Sequence, residues 1–442
     1  MKEVISRGAQ NFLNLSKDSK VLVVSHFDTD GVTSASIICK AFKRANINFS
    51  MKIVKSLRDD FVLSLPKDRI IVFSDLGSGS LELFSDLLKV FVIDHHEIKT
   101  KPLPNTVLIN PHLLPDSEYE DICSAGIAYL FSKALSPDGS NKDLASLAII
   151  GMVGDLVKTI GPYNNEILTD ADVIIKKGLQ IYPATRPLNK SLEYSSRMII
   201  PGVTGDIKGV LKLLRESGIT KVDGKFKSLI DLDEEENSRL ITGVILRRRG
   251  LDNSRLIDNI YLVKFFGKLE DAREISAKIN ACSRLGRSDI ALSFCVGSKK
   301  ARKDSEDIYA DYKQMLVSAL RFVDTSKDSK IVGNDYVIIN AKDQIRDTII
   351  GTVTSILSFS SKYKEGTAIL GMSYNESGIK VSLRIVGNNG RKAHKIIGGV
   401  MKNFSGEWGG HDNAAGCTIS RDDEVKFLES VKHSLEYSEL KV

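Results

Sequence analysis

The first 160 residues alternate short, almost wholly apolar runs with stretches of helical pattern. Strands as apolar as these are buried on both faces, and their alternation with helices is typical of a parallel sheet covered on both sides. The sequence therefore predicts an α/β domain built on a parallel sheet. The predicted strands are residues 21–25, 69–74, 90–93 and 106–109, and the predicted helices are residues 32–45, 80–88, 124–135 and 143–153.

Three of these strands end directly in acidic or imidazole side chains. The carboxyl ends of parallel strands meet at one edge of a sheet, where open α/β sheets place their binding crevice. We therefore expect these side chains to share one cleft although they are far apart in the sequence. The first strand leads into His26, Asp28 and Asp30, the second into Asp75, the third into Asp94, His95 and His96, and an apolar helical run leads into Asp155.

This set of residues predicts a metal centre. Crowded carboxylates repel one another unless cations neutralise them. Mixed Asp and His ligation suits Mn²⁺, Mg²⁺ or Zn²⁺ better than Ca²⁺, and the number of ligands favours two ions over one. Paired divalent ions ~3.5–4 Å apart are a common device for hydrolysing phosphoesters. A single Asp after a strand is more often a helix N-cap, so the prediction depends on the combination.

A second candidate site lies in the glycine-rich segment 406–416. Gly409 and Gly410 would let the backbone approach an anion closely, and His411 could donate a hydrogen bond to a phosphate. Arg384, on the predicted strand 378–386, could supply a guanidinium to the same anion. Arg284 is a further candidate phosphate contact.

The pattern divides the 442 residues into three predicted segments. Residues 1–160 form an α/β domain with the candidate metal site, residues 161–334 a helical insert with connecting helices, and residues 335–442 a smaller α/β domain with the second candidate site. The net charge of +6 is compatible with a polyanionic partner. No apolar run approaches the ~18 residues that span a bilayer, and no secretory leader is evident. Five scattered cysteines without a CxxC pair favour the reducing cytoplasm.

Taken together, these residues resemble the DHH phosphoesterase family. Its four motifs are similar, in order, to the run from His26 to Gly31, Asp75, the run Asp94-His95-His96, and Asp155. Residues 409–416 resemble the signature of the C-terminal domain that accompanies DHH domains, and residues 279–286 resemble the segment before the connecting helix of RecJ-type exonucleases. The layout resembles that of archaeal RecJ-like proteins, which lack the OB domain of bacterial RecJ. One departure is that His26 stands two residues before Asp28, where many relatives have a spacing of four.

The resemblance implies a role for each site residue. The bridge between two ions would be Asp75, the ligands of one ion His26 and Asp28, and those of the other Asp30, His95 and Asp155. Asp94 would fix the tautomer of an imidazole, and His96 would polarise the scissile phosphate or act as a general acid. The substrate-binding residues would be Arg284, Arg384, Gly409, Gly410 and His411.

The activity that this implies is a divalent-metal-dependent exonuclease of replication, repair or RNA turnover. It would hydrolyse single-stranded DNA or RNA from an end by a two-metal mechanism, with Mn²⁺ favoured by the imidazole ligands and Mg²⁺ possible. The GINS replication complex, with which archaeal RecJ-like proteins associate, is the expected protein partner. Three alternatives remain: a phosphodiesterase for oligonucleotides or cyclic dinucleotides, a scaffold of the replication complex on a DHH fold, and, less favoured, a pyrophosphatase.

Overall fold

The structure is a computed structural model, and the chain in it forms two compact units. The first unit comprises Met1–Lys177 and Asn259–Tyr309, and the second comprises Gly178–Asp258 and Ala310–Val442. The residues that the structure describes are 1–17, 19–115, 121–136, 138–157, 160–195, 198, 200–249, 253, 256–360, 362–376, 378–387 and 390–437.

The first unit is built on a five-stranded parallel sheet of order β2-β1-β3-β4-β5. The three central strands β1, β3 and β4 are almost completely buried, as their apolar sequences predict. The strands are β1 (Val21–His26), β2 (Phe49–Val54), β3 (Ile70–Ser74), β4 (Lys89–Ile93) and β5 (Thr106–Ile109). The predicted α/β class with a parallel sheet is therefore confirmed.

Helices cover both faces of this sheet. They are α1 (Lys2–Ser16), α2 (Thr29–Arg44), α3 (Asp59–Leu63), α4 (Ser124–Leu135), α5 (Ala145–Gly154) and α6 (Pro162–Asp170), with 3₁₀ turns at Leu81–Phe84, Pro111–Leu113 and Lys142–Leu144. The larger core lies against α1, α2, α4 and α5, where the Phe12 and Phe42 rings stack with centroids 4.7 Å apart. A smaller core fills the other face, where Phe84 stacks on Phe73.

The structure differs from the sequence prediction at two places in this part of the fold. The edge strand β2 was not predicted, because its half-buried sequence alternates instead of being continuously apolar. The helix predicted at residues 80–88 is only the short 3₁₀ turn Leu81–Phe84. The buried side chains of the predicted segment, Leu81, Phe84 and Leu87, recur every third residue, which is the period of a 3₁₀ helix.

The chain passes from the first unit to the second within a strand and returns within another. The elements of this middle region are β6 (Ile174–Leu179), α7 (Leu188–Glu193), α8 (Ile207–Glu216), β7 (Lys221–Val222), β8 (Lys225–Phe226), α9 (Glu234–Arg247), β9 (Ile257–Phe265) and β10 (Lys268–Asp271). Strands β6, β9 and β10 form a three-stranded sheet. The segment 161–334, predicted as a helical insert with connecting helices, therefore contains strands as well as helices.

Three helices follow this sheet. They are α10 (Ala272–Arg284), α11 (Ser288–Cys295) and the 27-residue α12 (Lys299–Thr325), within which the chain enters the second unit again. Helix α10 packs on α5 and α2, and α11 packs on α2 and α10. Residues from the middle of the chain therefore belong to the first unit, where they pack on α2 and α5. The start of α2 holds Asp28 and Asp30, and the end of α5 holds Asp155.

The C-terminal part of the second unit is a six-stranded mixed sheet of order β11-β12-β13-β14-β16-β15. Its strands are β11 (Lys330–Val332), β12 (Tyr336–Asn340), β13 (Ala368–Asn375), β14 (Gly378–Ile385), β15 (Trp408–Gly410) and β16 (Ala414–Ile419), and its helices are α13 (Asp347–Ser358), α14 (Ala393–Met401) and α15 (Glu424–Tyr437). Its core packs against α14 and α15, and α13 packs on β13 and β14. Within the described residues, no helix combines the length and apolar character needed to cross a membrane.

Candidate metal centre

The predicted metal ligands converge at the carboxyl edge of the parallel sheet. Strands β1, β3 and β4 are neighbours in the sheet, so the polar residues that follow them emerge side by side. Within each of three groups, the potential ligand atoms all lie within 4.8 Å of one another. The groups are His26, Asp28 and Asp75; Asp30, His95 and Asp155; and Asp75, His95 and His96.

Asp75 lies where two of these groups meet. It follows β3 with a φ of 59°, in the left-handed region that non-glycine residues seldom adopt. Its Oδ1 accepts a hydrogen bond of 2.9 Å from Ser124 Oγ. Its Oδ2 is buried and accepts no hydrogen bond from any described residue. Burial, followed by the charges of Asp28 and Asp30, raises the pKa of Asp75 well above its ordinary value.

These features fit a bound divalent cation. A buried carboxylate oxygen without a donor is costly, and a cation is the partner that would remove both this cost and the repulsion by neighbouring acids. The surrounding donors are carboxylate oxygens and imidazole nitrogens, which suit Mn²⁺ and related ions. The cluster therefore has the donor set, the charge and the vacant lone pairs of a metal site.

His26 and Asp28 lie at the end of β1. His26 Nδ1 is 3.1 Å from Asp28 Oδ2 and 3.4 Å from Asp75 Oδ2. Asp28 also caps α2, because its Oδ1 accepts a hydrogen bond of 3.0 Å from Gly31 N. A Cβ on Gly31 would lie 2.4 Å from the carbonyl oxygen of His26, so only glycine fits there. Burial lowers the pKa of His26, but the nearby charges of Asp28 and Asp75 outweigh it and raise that pKa well above normal.

Asp30 is held by the N-terminus of α4. Its two oxygens accept hydrogen bonds from Ser124 N at 2.8 Å and Ala125 N at 2.9 Å. Helix α5 approaches this carboxylate closely at Gly151, where a Cβ would come within 2.9 Å of Asp30 Oδ1. Burial and the charge of Asp28 raise the pKa of Asp30 to about 6. The fold therefore holds a carboxylate at this point although its ionisation there is unfavourable.

His95 stands between Asp30 and Asp155. Its Nε2 lies 3.9 Å from Asp30 Oδ2, and its Nδ1 lies 3.8 Å from Asp155 Oδ2. Asp155 ends α5 as its C-cap residue. Burial and the charge of Asp30 raise the pKa of Asp155 to about 7. These separations exceed hydrogen-bond length, so His95 does not hydrogen-bond directly to either carboxylate.

Asp94 and His96 form a pair beside the cluster. Asp94 is fully buried, and its Oδ1 lies 2.7 Å from His96 Nδ1. Burial alone would raise the pKa of Asp94, but hydrogen bonds from His96 and Ser78 bring it well below the usual range. Burial lowers the pKa of His96, but its hydrogen bond and charge interaction with Asp94 raise it to about 9. The imidazole that Asp94 orients is thus His96.

The sequence analysis did not identify three polar residues that contact the predicted ligands. Ser124 holds both Asp75 and Asp30, Ser78 N donates to Asp94 Oδ2 at 2.9 Å, and Asn110 Nδ2 donates to Ser78 Oγ and to the carbonyl of His96. Asn110 could have been found, since it follows an apolar strand in the same way as Asp75 and Asp94. The two serines carry no such signal.

The predicted anion-binding residues of the second unit lie on neighbouring strands. Arg384 on β14 is opposite Ala414 of β16, and its Nε donates to Ser355 Oγ of α13 at 2.9 Å. Gly409 and Gly410 belong to β15, which also pairs with β16. The glycine-rich segment is therefore largely strand, with exposed His411 beginning the turn into β16.

Arg284, the remaining predicted substrate contact, belongs to the first unit. It is the last residue of α10 and is half-buried.

Comparison with known proteins agrees with this architecture. The N-terminal domain of the DHH family matches residues 20–152, the DHH-CID domain matches residues 182–259 and the DHHA1 domain matches residues 334–436. An uncharacterized protein of Methanocaldococcus jannaschii is 27% identical over 429 residues, which cover 93% of this chain and 92% of that protein. A prophage-derived protein of Bacillus subtilis, named as a single-strand DNA-specific exonuclease, is 26% identical over 193 residues, 42% of this chain and 33% of that protein.

Solved structures share the fold at low sequence identity. RecJ from Thermus thermophilus in complex with Mn²⁺ has a TM-score of 0.63 and 17% identity, covering 98% of this chain and 55% of that one. This chain therefore spans about half the length of that RecJ. CDC45 from Entamoeba histolytica has a TM-score of 0.65 and 13% identity, covering 98% and 99%. The resemblance inferred from the motifs is confirmed by the three matched domains: the chain contains the N-terminal domain of the DHH family, a DHH-CID domain and a DHHA1 domain.

Proposed function

We propose that this protein is a divalent-metal-dependent exonuclease that hydrolyses phosphodiester bonds of single-stranded DNA or RNA from an end. The observation that carries the proposal is the presence of two ligand groups at one sheet edge: His26, Asp28 and Asp75, and Asp30, His95 and Asp155. The donors favour Mn²⁺, with Mg²⁺ as the second choice. Support for the ion comes from RecJ of Thermus thermophilus, which is known in complexes with Mn²⁺ and with Mg²⁺.

The bound ions and the residues around these groups would each have a separate role in such a reaction. Two bound ions would neutralise charge at the phosphate and provide an activated water. Asp94 would keep the His96 imidazole in place through its 2.7 Å contact with Nδ1. His96, whose side chain is 57% exposed, would then polarise the scissile phosphate or protonate the leaving oxygen. Ser124 would act as a positioning residue, since it contacts both Asp30 and Asp75.

Binding of the strand end is proposed for a second set of residues. A guanidinium, an imidazole and exposed backbone N–H groups are the donors that recognise phosphate. The proposed contacts are Arg384, Gly409, Gly410 and His411 in the second unit and Arg284 in the first. The name of the Bacillus subtilis relative, a single-strand DNA-specific exonuclease, supports a nucleic acid substrate. A role in replication or repair belongs to the same proposal.

A scaffold of the replication complex is the second candidate function. It is favoured by the likeness to CDC45, which extends over 98% of this chain and 99% of that protein. The ligand groups argue against a purely structural role. Burying these carboxylates is energetically unfavourable, and a scaffold would not need them. We propose GINS as the protein partner under either function.

One digestion panel tests the enzyme against the scaffold. Metal-stripped protein is supplied with Mn²⁺ or Mg²⁺ and given single-stranded DNA and RNA of several lengths, labelled at either end. Stepwise loss of nucleotides from one end is expected, and the labels report the polarity and the preferred sugar. Cleavage of only the shortest oligomers would favour the oligonucleotide phosphodiesterase.

Asp75→Asn and Asp59→Asn are the matched variants for this panel. Asp75 lies in the cluster, whereas Asp59 is an exposed carboxylate at the start of α3. Asp75→Asn should abolish turnover, and Asp59→Asn should retain it. Absence of cleavage with every metal and strand would make the scaffold the better assignment.

A further inference from the structure

Helix α10 contacts the segment that carries two of the proposed metal ligands. Thr29, the first residue of α2, stands between Asp28 and Asp30 and is buried. Its Oγ1 donates a hydrogen bond of 3.0 Å to the carbonyl oxygen of Ser276 in α10, and Ser276 Oγ donates one of 3.1 Å back to Thr29 Oγ1. The Thr29 hydroxyl therefore both donates to and accepts from one residue, which lies 247 positions further along the chain.

The partner of the Ser276 hydroxyl is unusual for a serine within a helix. Other helical hydroxyls of this chain bond back to the preceding turn, as Ser36 does to Val32 O. Ser276 is buried, and its hydroxyl reaches across to α2 instead. A buried hydroxyl that is satisfied by a distant segment links the two segments, because separating them would leave polar atoms unpaired.

The end of α5 comes close to the same point. A Cβ on Gly154 would lie 2.7 Å from Thr29 Cβ and 3.1 Å from Ser276 Oγ, so a side chain at this position would displace Thr29. The φ of Gly154 is not positive, so the close approach, and not the backbone conformation, accounts for the glycine. Asp155 follows directly. The contact is therefore adjacent to three proposed ligands, which are Asp155 and the two aspartates that flank Thr29.

Helix α10 is held in place by further contacts within the first unit. Buried Lys278 of α10 has its Nζ 3.5 Å from Glu274 Oε1 and 3.6 Å from Glu306 Oε1 of α12. Glu270, shortly before α10, pairs with Arg302 of α12 at 2.7 Å. The helix also packs on α5 and α2. These ion pairs fix α10 without any contribution from Thr29, so α10 can serve as a fixed support for the ligand segment.

We propose that Thr29 and Ser276 are positioning residues of the metal centre, whose contact fixes the spacing of the Asp28 and Asp30 carboxylates. These two carboxylates belong to different ligand groups, so their spacing bears on both proposed ions. Residues that orient metal ligands without touching the ion typically change metal affinity by about 10–100-fold when they are substituted. The inference rests on the proposed metal-dependent function, and it adds a residue from the middle of the chain to the site.

Substitutions of the two hydroxyls test this role. Mn²⁺ is titrated into the metal-stripped full chain, and free Mn²⁺ is measured by its EPR signal. Thr29→Val keeps the shape of the side chain but removes the hydroxyl, and it should weaken Mn²⁺ binding by about tenfold or more. Ser276→Ala removes one of the two hydrogen bonds and should weaken binding by a smaller factor. Thr29→Ser keeps the hydroxyl and should bind Mn²⁺ like the wild type.

Thr354→Val is the matched control for the loss of a buried threonine hydroxyl. The Thr354 side chain is fully buried in α13 of the second unit, where its Oγ1 donates to Gly351 O at 3.0 Å. Thr354→Val should lower the Tm measured in EDTA, as Thr29→Val does, but it should leave Mn²⁺ affinity unchanged.

Gly154→Ala tests the close approach of α5. At a helical position without a positive φ, alanine is ordinarily more stable than glycine. Because the added Cβ would displace Thr29, Gly154→Ala should instead lower the Tm in EDTA and weaken Mn²⁺ binding. Gly399→Ala is the matched control, since Gly399 lies in α14 and a Cβ there would meet nothing within 4 Å. This variant should keep or raise the Tm with unchanged Mn²⁺ affinity.

The outcomes separate the positioning role from the function on which it rests. Unchanged Mn²⁺ affinity in Ser276→Ala, Gly154→Ala and, where it folds, Thr29→Val would show an ordinary packing contact and overturn the proposal. Absence of Mn²⁺ binding by the wild type would overturn the metal centre together with the role of this contact. Weakened Mn²⁺ binding in the variants, with no cleavage of any strand by the wild type, would support the positioning role and overturn the nuclease alone.

Discussion

Asp75 combines two energetically unfavourable features, one of its backbone and one of its side chain. Its left-handed backbone is unfavourable for a side chain larger than glycine, and its Oδ2 is buried without a donor. The charges of Asp28 and Asp30 add repulsion. The fold tolerates these costs because the residue is fixed on both sides, by Ser124 Oγ and by the hydrogen bond from Asp75 N to Ile93 O. Strain and unsatisfied charge at one point are features of functional sites.

Removing this charge should stabilise the metal-free protein. Asp75→Asn keeps the shape of the side chain and an oxygen for Ser124, but it abolishes the buried charge. In EDTA we expect the free energy of unfolding to rise by about 1–3 kcal/mol. Chemical denaturation with and without Mn²⁺ measures the effect. Mn²⁺ should stabilise the wild type by binding the folded state, and it should stabilise Asp75→Asn much less. A variant less stable than the wild type in EDTA would contradict this interpretation of Asp75.

At this scale, the sequence identifies candidate ligands better than the residues that position them. His26, Asp75 and Asp94 stand out because an apolar strand precedes each one. Ser124 and Ser78 do not stand out, because a serine at the start of a helix or in a turn has many ordinary uses. Their contacts to Asp30, Asp75 and Asp94 join segments far apart in the chain, and only the folded structure brings these segments together.

At the scale of elements, burial decided which strands the sequence could predict. The central strands β1, β3 and β4 are apolar on both faces and were predicted almost to the residue. Strands β2 and β6 are partly exposed, so their sequences contain polar residues that resemble loop or helix. The sequence predicts a longer helix at the 3₁₀ turn Leu81–Phe84 because three-residue and 3.6-residue periods differ little over so short a stretch.

A polar contact between α4 and α6 should make stability depend on pH. Tyr129 OH and Lys133 Nζ of α4 both donate to Asp170 Oδ2 at the end of α6. Burial alone would raise the pKa of Asp170, but these hydrogen bonds lower it below its ordinary value. A lowered carboxyl pKa contributes stability above the unfolded pKa of about 3.9, and this contribution is lost as the pH falls through the folded pKa.

Asp170→Asn tests this contribution. Between pH of about 6 and about 3, the wild type should lose more free energy of unfolding than Asp170→Asn, which has no carboxylate to protonate there. Urea denaturation at several pH values measures the difference. Asp59→Asn, which removes an exposed carboxylate, should follow the wild type. Identical pH profiles for Asp170→Asn and the wild type would show that the α4–α6 contact does not contribute.

At the scale of the whole molecule, the proposed chemistry belongs to the first unit, and all the proposed contacts to the strand end except Arg284 belong to the second. All members of the metal-ligand groups lie in the first unit, whereas Arg384 and His411 lie in the second. The sequence predicts this division through two separate motif clusters, near the two ends of the chain. It does not predict that segment 259–309 returns to the first unit, because α10 and α11 have no pattern that distinguishes them from connecting helices.

This division predicts that binding and metal occupancy can be separated by mutation. His411→Ala removes an exposed imidazole from the second unit, and it should raise the KM for single strands while leaving the Mn²⁺-induced rise in Tm unchanged. Asp155→Asn removes a proposed ligand in the first unit, so it should reduce that Tm rise together with kcat. Thermal unfolding and steady-state kinetics on the same preparations measure both quantities. A loss of Mn²⁺ stabilisation in His411→Ala would mean that the second unit contributes to the metal site, and the separation of roles would fail.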